Sequence, residues 1–191
     1  LWRQYLSQRK ENELMKTVGD KATANNHRRI VIVYDSAYGN TAEVAGAVTE
    51  ALDGSGVIRT QLASEVSTDV IRSADLLIVG SPTQGGRPTK SLQDALDRLP
   101  EDALSDVFVA AFDTRFSTKT HGVRLRLLMN TIGFAAEKIA SQLRAKGGSV
   151  VAPPAGFIVE DKPGPLAPGE LERARSWALE LPQSVVTKQT M

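Results

Sequence analysis

Residues 29–48, RIVIVYDSAYGNTAEVAGAV, join three structural signals without a spacer. Ile30, Val31, Ile32 and Val33 form a continuous apolar run, the pattern of a strand buried on both faces. A small polar turn follows at Asp35–Thr41. A helical period begins at once, with Val44, Ala45, Val48 and Leu52 on one face. A buried strand running directly into a helix opens a β–α–β unit. That confines the chain to folds with parallel strands and crossover helices.

The same alternation continues downstream. Gly54 and Gly56 stop the first helix. VIRTQLA, residues 57–63, reads as a second, more polar strand, expected at a sheet edge. ADLLIVGSP, residues 74–82, is a third strand and again continuous. Leu92, Ala95, Leu96 and Leu99 make the next helix face, which Pro100 ends. DVFVAAFD, residues 106–113, is the fourth strand. Ile132, Ala136, Ile139, Ala140 and Leu143 predict a long helix stopped by Gly147 and Gly148. SVVAPPAGFIVE is a fifth strand interrupted by Pro153 and Pro154. GELERARSWALEL closes the series as a helix, with Leu171, Ala174, Trp177, Ala178 and Leu181 inward. Five such units predict an α/β fold, a doubly wound five-stranded parallel sheet covered on both sides.

Residues 1–28 read differently. They are polar and charge-rich, with Trp2, Tyr5 and Leu6, then Leu14, Met15 and Val18, at helical spacing. We expect an N-terminal helical extension and linker at 1–28, and one domain over 29–187. The extension has two readings, a surface helix docked on the body or on a neighbour, and an interfacial membrane anchor. A secretory signal is not expected, because no continuous apolar stretch follows the charges.

Composition narrows the chemistry. The 191 residues carry a formal net charge of +1, which gives no bulk electrostatic case for nucleic acid. The absence of cysteine excludes disulfides, thiolate nucleophiles and cysteine-held iron–sulfur clusters. It fits a reducing compartment, and we expect a cytoplasmic protein. His27 and His121 are the only histidines, too few for a histidine-rich metal centre, so no metal site is expected. No apolar run approaches the roughly 18 residues of a membrane span.

In parallel sheets, ligands sit beyond the C-terminal strand ends. The loops predicted at that edge are DSAYGNT after the first strand, SPTQGGRPT after the third and DTRFSTKTHG after the fourth. The first suits a phosphate. A helix start offers unpaired N–H groups and a partial positive charge. Gly39 allows close backbone approach, and Asn40 with Glu43 resembles a helix-start pair. Ser36, Asn40 and Thr41 add short donors, and the loop holds no lysine or arginine. Neutral donors suit a cofactor that stays bound better than a nucleotide whose phosphate is transferred. The dinucleotide fingerprint fails, since DSAYGN has one glycine. The P-loop pattern fails too, since Gly86 stands where lysine is required. A plain helix-capping loop is the bland alternative.

Taken together, these motifs resemble the flavodoxin-like family over about residues 29–182. DSAYGNT is similar to its phosphate loop, with Tyr38 where many single-domain flavodoxins carry threonine. That variant resembles the flavodoxin domains of flavodiiron proteins. GSPTQGGRPT and AFDTRF resemble the two isoalloxazine loops of small flavodoxin-domain proteins, and GGSVVAPPAGFIVEDKPGPLAPGELERA resembles the end of that group. The resemblance brings no diiron domain with it, and none is expected within these 191 residues for want of length and ligands.

The resemblance implies strand order 2-1-3-4-5 and FMN as cofactor. It implies a phosphate held by Ser36, Tyr38, Gly39, Asn40, Thr41 and the backbone of Ala37. The flavin ring would lie between Pro82, Thr83, Gln84, Gly85, Gly86 and Arg87 on one side and the segment from Asp113, Thr114, Arg115 and Phe116 to His121 on the other. Several roles stay open at this level. Gly85–Gly86 is either an ordinary turn or a peptide that flips to meet the flavin N5–H on one-electron reduction. Gln84 brings no aromatic ring, so Phe116 is a stacking partner or a hinge residue. Arg87 and Arg115 are cations beside the ring or solvated rim charges. Asp113 accepts from the flavin or caps the following turn. His121 approaches the ring or lies on the surface.

No side chain is expected to be catalytic. The expected function is electron transfer between redox partner proteins, with an oligomer compatible. The alternative is a NAD(P)H-dependent quinone or flavin reductase of the same fold. A flavin-free interaction module is the third reading. Carriers of this fold are commonly acidic, and this chain is not.

Overall fold

The structure, a computed structural model, describes residues 28–116, 133–161 and 163–189, with side chains of the last helix as far as Leu181. The apolar runs form strands and the periods between them form helices. In chain order these are β1 (Arg29–Tyr34), α1 (Asn40–Ala51), β2 (Val57–Leu62), α2 (Thr68–Arg72), β3 (Leu76–Pro82), α3 (Lys90–Asp97), β4 (Phe108–Phe116), α4 (Ala135–Ala145), β5 (Ser149–Val150), β6 (Ala155–Val159) and α5 (Glu170–Gln189).

Every ladder is parallel, and the order is β2-β1-β3-β4-β5. Alternate residues of the central strands go to opposite faces, as the strand period requires. Val31, Val33, Leu77, Val79, Val109 and Ala111 join α2, α3 and α4 in one core. Ile30, Ile32, Leu76, Ile78, Ala110 and Phe112 join α1 and α5 in the other. That two-sided burial is why the strands read as unbroken apolar runs. Polar β2 is an edge strand, as its sequence predicts.

Two short strands fill the fifth position. β5 pairs with Phe108 and Val109, and β6 with Phe112–Phe116. Pro153 and Pro154 lie between them, since proline supplies no N–H to a ladder. This second pairing carries β4 to Phe116, three residues beyond its predicted end at Asp113. Asp113, Thr114, Arg115 and Phe116 are therefore strand residues, not loop residues. Gly80 makes room on β3 for the Phe112 ring, which a Cβ there would approach to 2.0 Å. Phe112 in turn makes edge contacts with Phe157 and Trp177, both centroids 6.0 Å away.

The sequence reading omits α2. Its five residues bury one side chain, Ile71, which is too little for a period to show. Residues 1–27 of the expected extension, Ile132 of the expected helix and His121 lie outside the described residues. Arg28 is described, and its carbonyl accepts the Val57 N–H at 2.8 Å. Among the described residues no helix is long and apolar enough to cross a membrane.

Candidate functional site

The crossover reverses direction between β1 and β3, so the loops after these strands part above the sheet edge. Between them lies a cleft of about 650 Å³. That is within the range of about 300–1,000 Å³ usual for small-molecule sites.

One end of the cleft is the start of α1. Gly39 takes the left-handed conformation at φ 95° and is the residue before the helix. Asn40 therefore does not cap. Ser36 does so instead, its Oγ accepting the N–H of Gly39 at 3.1 Å and of Ala42 at 3.3 Å. Glu43 is in the first turn, but its N–H goes to the Gly39 carbonyl and not to a capping side chain. Among the described residues, nothing accepts the N–H groups of Ala37, Asn40 and Thr41. The Asn40 amide instead donates to the Pro163 carbonyl at 2.5 Å. The Thr41 and Thr114 hydroxyls, 2.8 Å apart and buried, tie α1 to the end of β4.

The opposite wall begins at Pro82. Gln84 and Arg87 exchange N–H···O bonds of 2.9 and 3.1 Å across Gly85 and Gly86. Both glycines have positive φ, 57° and 76°, the signature of a two-residue primed hairpin turn. A Cβ at Gly85 would meet nothing within 4 Å, so the backbone alone calls for glycine there. Arg87 is exposed and does not line the cleft. Two aromatic rings remain exposed on the cleft walls, Tyr38 at 54% and Phe116 at 37%.

Asp113 is not available to a ligand. Its side chain is 0% exposed and accepts from four groups. These are Arg115 Nε at 2.5 Å, Arg115 Nη2 at 2.8 Å, the Thr83 hydroxyl at 2.9 Å and the Ala136 N–H at 2.9 Å. Thr83 Oγ1 also accepts the Ala135 N–H at 2.9 Å. Asp113 and Thr83 thus satisfy the first N–H groups of α4, a helix start 23 residues downstream, where the sequence suggested a cap for the turn that directly follows Asp113. Burial pushes the Asp113 carboxyl up from its ordinary value, while Arg115, the Ala136 N–H and Thr83 pull it down. Arg115 is no free cation either, since it also reaches Glu137 and lies over the Phe134 ring.

A profile of the flavodoxin family matches residues 32–166. The chain belongs to the flavodoxin family. A protein of Thermosynechococcus vestitus described as diflavin flavoprotein A 2 is 36% identical over 81 residues, 40% of this chain and 14% of that protein. A protein of Synechocystis described as diflavin flavoprotein A 4 is 36% identical over 89 residues. The match covers 44% of this chain and 15% of that protein. The chain therefore spans about one-seventh of these relatives' length. Among solved structures, rubredoxin oxygen:oxidoreductase of Desulfovibrio gigas superposes with a TM-score of 0.63 at 18% identity. That superposition covers 89% of this chain and 39% of that one. A flavodoxin from the Archaea gives 0.60 at 19% identity, over 83% of this chain and 99% of that one.

Within this flavodoxin fold, most of the residues singled out by the sequence come together. Ala37, Tyr38, Asn40, Thr41, Pro82, Thr83, Gln84, Gly85, Gly86, Thr114, Arg115 and Phe116 all line the cleft. Ser36, Gly39 and Asp113 do not. Ser36 and Gly39 shape the helix start, and Asp113 lies below the wall. Gly133, Val159, Asp161 and Pro163 line it without having been singled out. Val159 ends β6, and Asp161 and Pro163 belong to the hairpin-like excursion that follows it, closed by Glu160 N–H to Pro165 O and Ala167 N–H to Ile158 O, each 2.9 Å. Its signal was present, since a fifth parallel strand must end at the same edge as the others.

Proposed function

We propose that this flavodoxin-family chain binds FMN in the cleft and passes electrons between redox partner proteins. The observation that carries the reading is that, among the described residues, the N–H groups of Ala37, Asn40 and Thr41 have no acceptor where α1 begins. Such a set suits a phosphate dianion without a lysine or arginine. The cleft volume and the exposed Tyr38 and Phe116 rings suit a flat aromatic ligand. Bound flavin supplies the redox chemistry, taking up and releasing electrons one or two at a time. The protein's part is to hold the phosphate through α1 and the ring between the Gln84–Arg87 turn and the end of β4. The family fold and the redox names of its relatives support electron transfer.

The test is spectroscopic. Purified protein titrated with FMN should quench flavin fluorescence at one equivalent. The loaded protein should stay oxidised when NADH or NADPH is added without air. Bleaching within seconds would move the assignment to a NAD(P)H-dependent reductase, and failure to bind FMN would end it.

A further inference from the structure

Arg115 and Asp113 stand two apart on β4, so both side chains leave one face of the strand. They contribute unequally to the cleft. Arg115 forms part of its wall and is 13% exposed, while Asp113 lies behind it and is fully buried. The guanidinium is fixed from several sides. It holds Asp113 through Nε and Nη2, reaches Glu137 Oε1 at 3.4 Å, and sits 3.8 Å from the Phe134 ring centroid. Gly156 on β6 leaves the space it occupies, since a Cβ there would fall 2.4 Å from Arg115 Cζ.

Capping alone does not account for this cost. A neutral Asn, Ser or Thr satisfies a helix start as well as Asp does, and Thr83 already takes one N–H. Burying two charges is expensive even when they are paired. What the pair adds is a fixed dipole, with its positive end at the cleft wall and its negative end beneath.

Building on the FMN reading above, we infer that Asp113 and Arg115 are positioning residues that tune the reduction potential of the bound flavin, with Asp113 cancelling most of the Arg115 charge. Reduction adds negative charge to the ring. A cation at the wall favours the reduced form and a buried anion disfavours it. Removing either partner should therefore move the potential in opposite directions.

The experiment loads the full chain with FMN and measures the two-electron midpoint by dye equilibration at one pH. Asp113→Asn unmasks the cation and should raise the midpoint. Arg115→Gln unmasks the anion and should lower it, while Arg115→Lys should stay near wild type. Each tenfold change in the preference for reduced over oxidised FMN appears as about 30 mV. Should Asp113→Asn fail to fold, Glu137→Gln serves in its place. Glu137 is 49% exposed, and its loss should raise the midpoint by a smaller step. A purely structural pair would weaken FMN binding or stability and give no shifts of opposite sign. Equal midpoints, or shifts of one sign in Arg115→Gln and Glu137→Gln, overturn the inference alone. Wild type that binds no FMN overturns it together with the reading beneath it.

Discussion

The positive φ values at Gly85 and Gly86 make the two glycines unequal as targets. A flip of the peptide between them rotates φ of Gly86 to the negative side and leaves φ of Gly85 positive. A Cβ at Gly85 is therefore strained in both orientations. A Cβ at Gly86 is strained only in the orientation seen here, by about 1 kcal/mol. If a redox-linked flip occurs, Gly86→Ala should change the gap between the two one-electron potentials by about 43 mV, at 59 mV per tenfold. Gly85→Ala should change that gap little and cost stability instead. Spectroelectrochemical titration of both variants decides the matter, and identical gaps in wild type and Gly86→Ala would leave the pair as a turn only. The glycine pair was legible as a turn because glycine takes positive φ at two successive positions with no Cβ penalty. The cap was not legible. Asn40 with Glu43 has the look of a helix start, yet Gly39 turns left-handed and Ser36 reaches forward to serve instead. Choosing between them needs φ values, which residue order does not carry.

At the scale of elements, α1 meets the excursion after β6 through the Asn40 amide and the Pro163 carbonyl, partners 123 residues apart. Gly164 lies so close that a Cβ would fall 2.6 Å from Asn40 Oδ1. Asn40→Asp is the informative change. It removes the donor but places a carboxylate at the positive end of α1, a gain of about 0.3–1 kcal/mol that offsets part of the lost bond. A carboxylate oxygen then faces the Pro163 carbonyl with no proton between them, so stability without ligand should fall by about 1–3 kcal/mol less that gain. The same carboxylate stands where the FMN phosphate is proposed to bind. FMN should lose at least tenfold in affinity, about 1.4 kcal/mol, while riboflavin loses little. Equal losses for the two ligands, read by fluorescence titration, would remove the phosphate from α1. The helix and the loop composition were readable from period and turn chemistry, whereas this contact was not, because no local rule brings residues 40 and 163 together.

For the whole molecule, the two-faced sheet was readable from the alternation of buried runs and helical faces. The tying of its loops was not. Thr41 meets Thr114 across 73 residues, and Thr83 meets Asp113 across 30. With the Ala135 and Ala136 N–H bonds to Thr83 and Asp113, these bonds join α1, the segment after β3, β4 and α4 into one rim, so a ligand seated there should stabilise the fold as a unit and not a single loop. For a ligand that binds only the folded state, FMN at a hundred times its Kd adds about 2.7 kcal/mol. In a domain of this size that raises Tm by about 5–11 °C. Riboflavin, bound tenfold more weakly at the same concentration, should add about 1.4 kcal/mol and so about half the shift. Thermal melts at matched ligand concentrations compare the two directly. Equal shifts would mean that the ring alone holds the cofactor and that the open N–H groups of α1 serve something else. No shift with either ligand would mean that the cleft is not a flavin site.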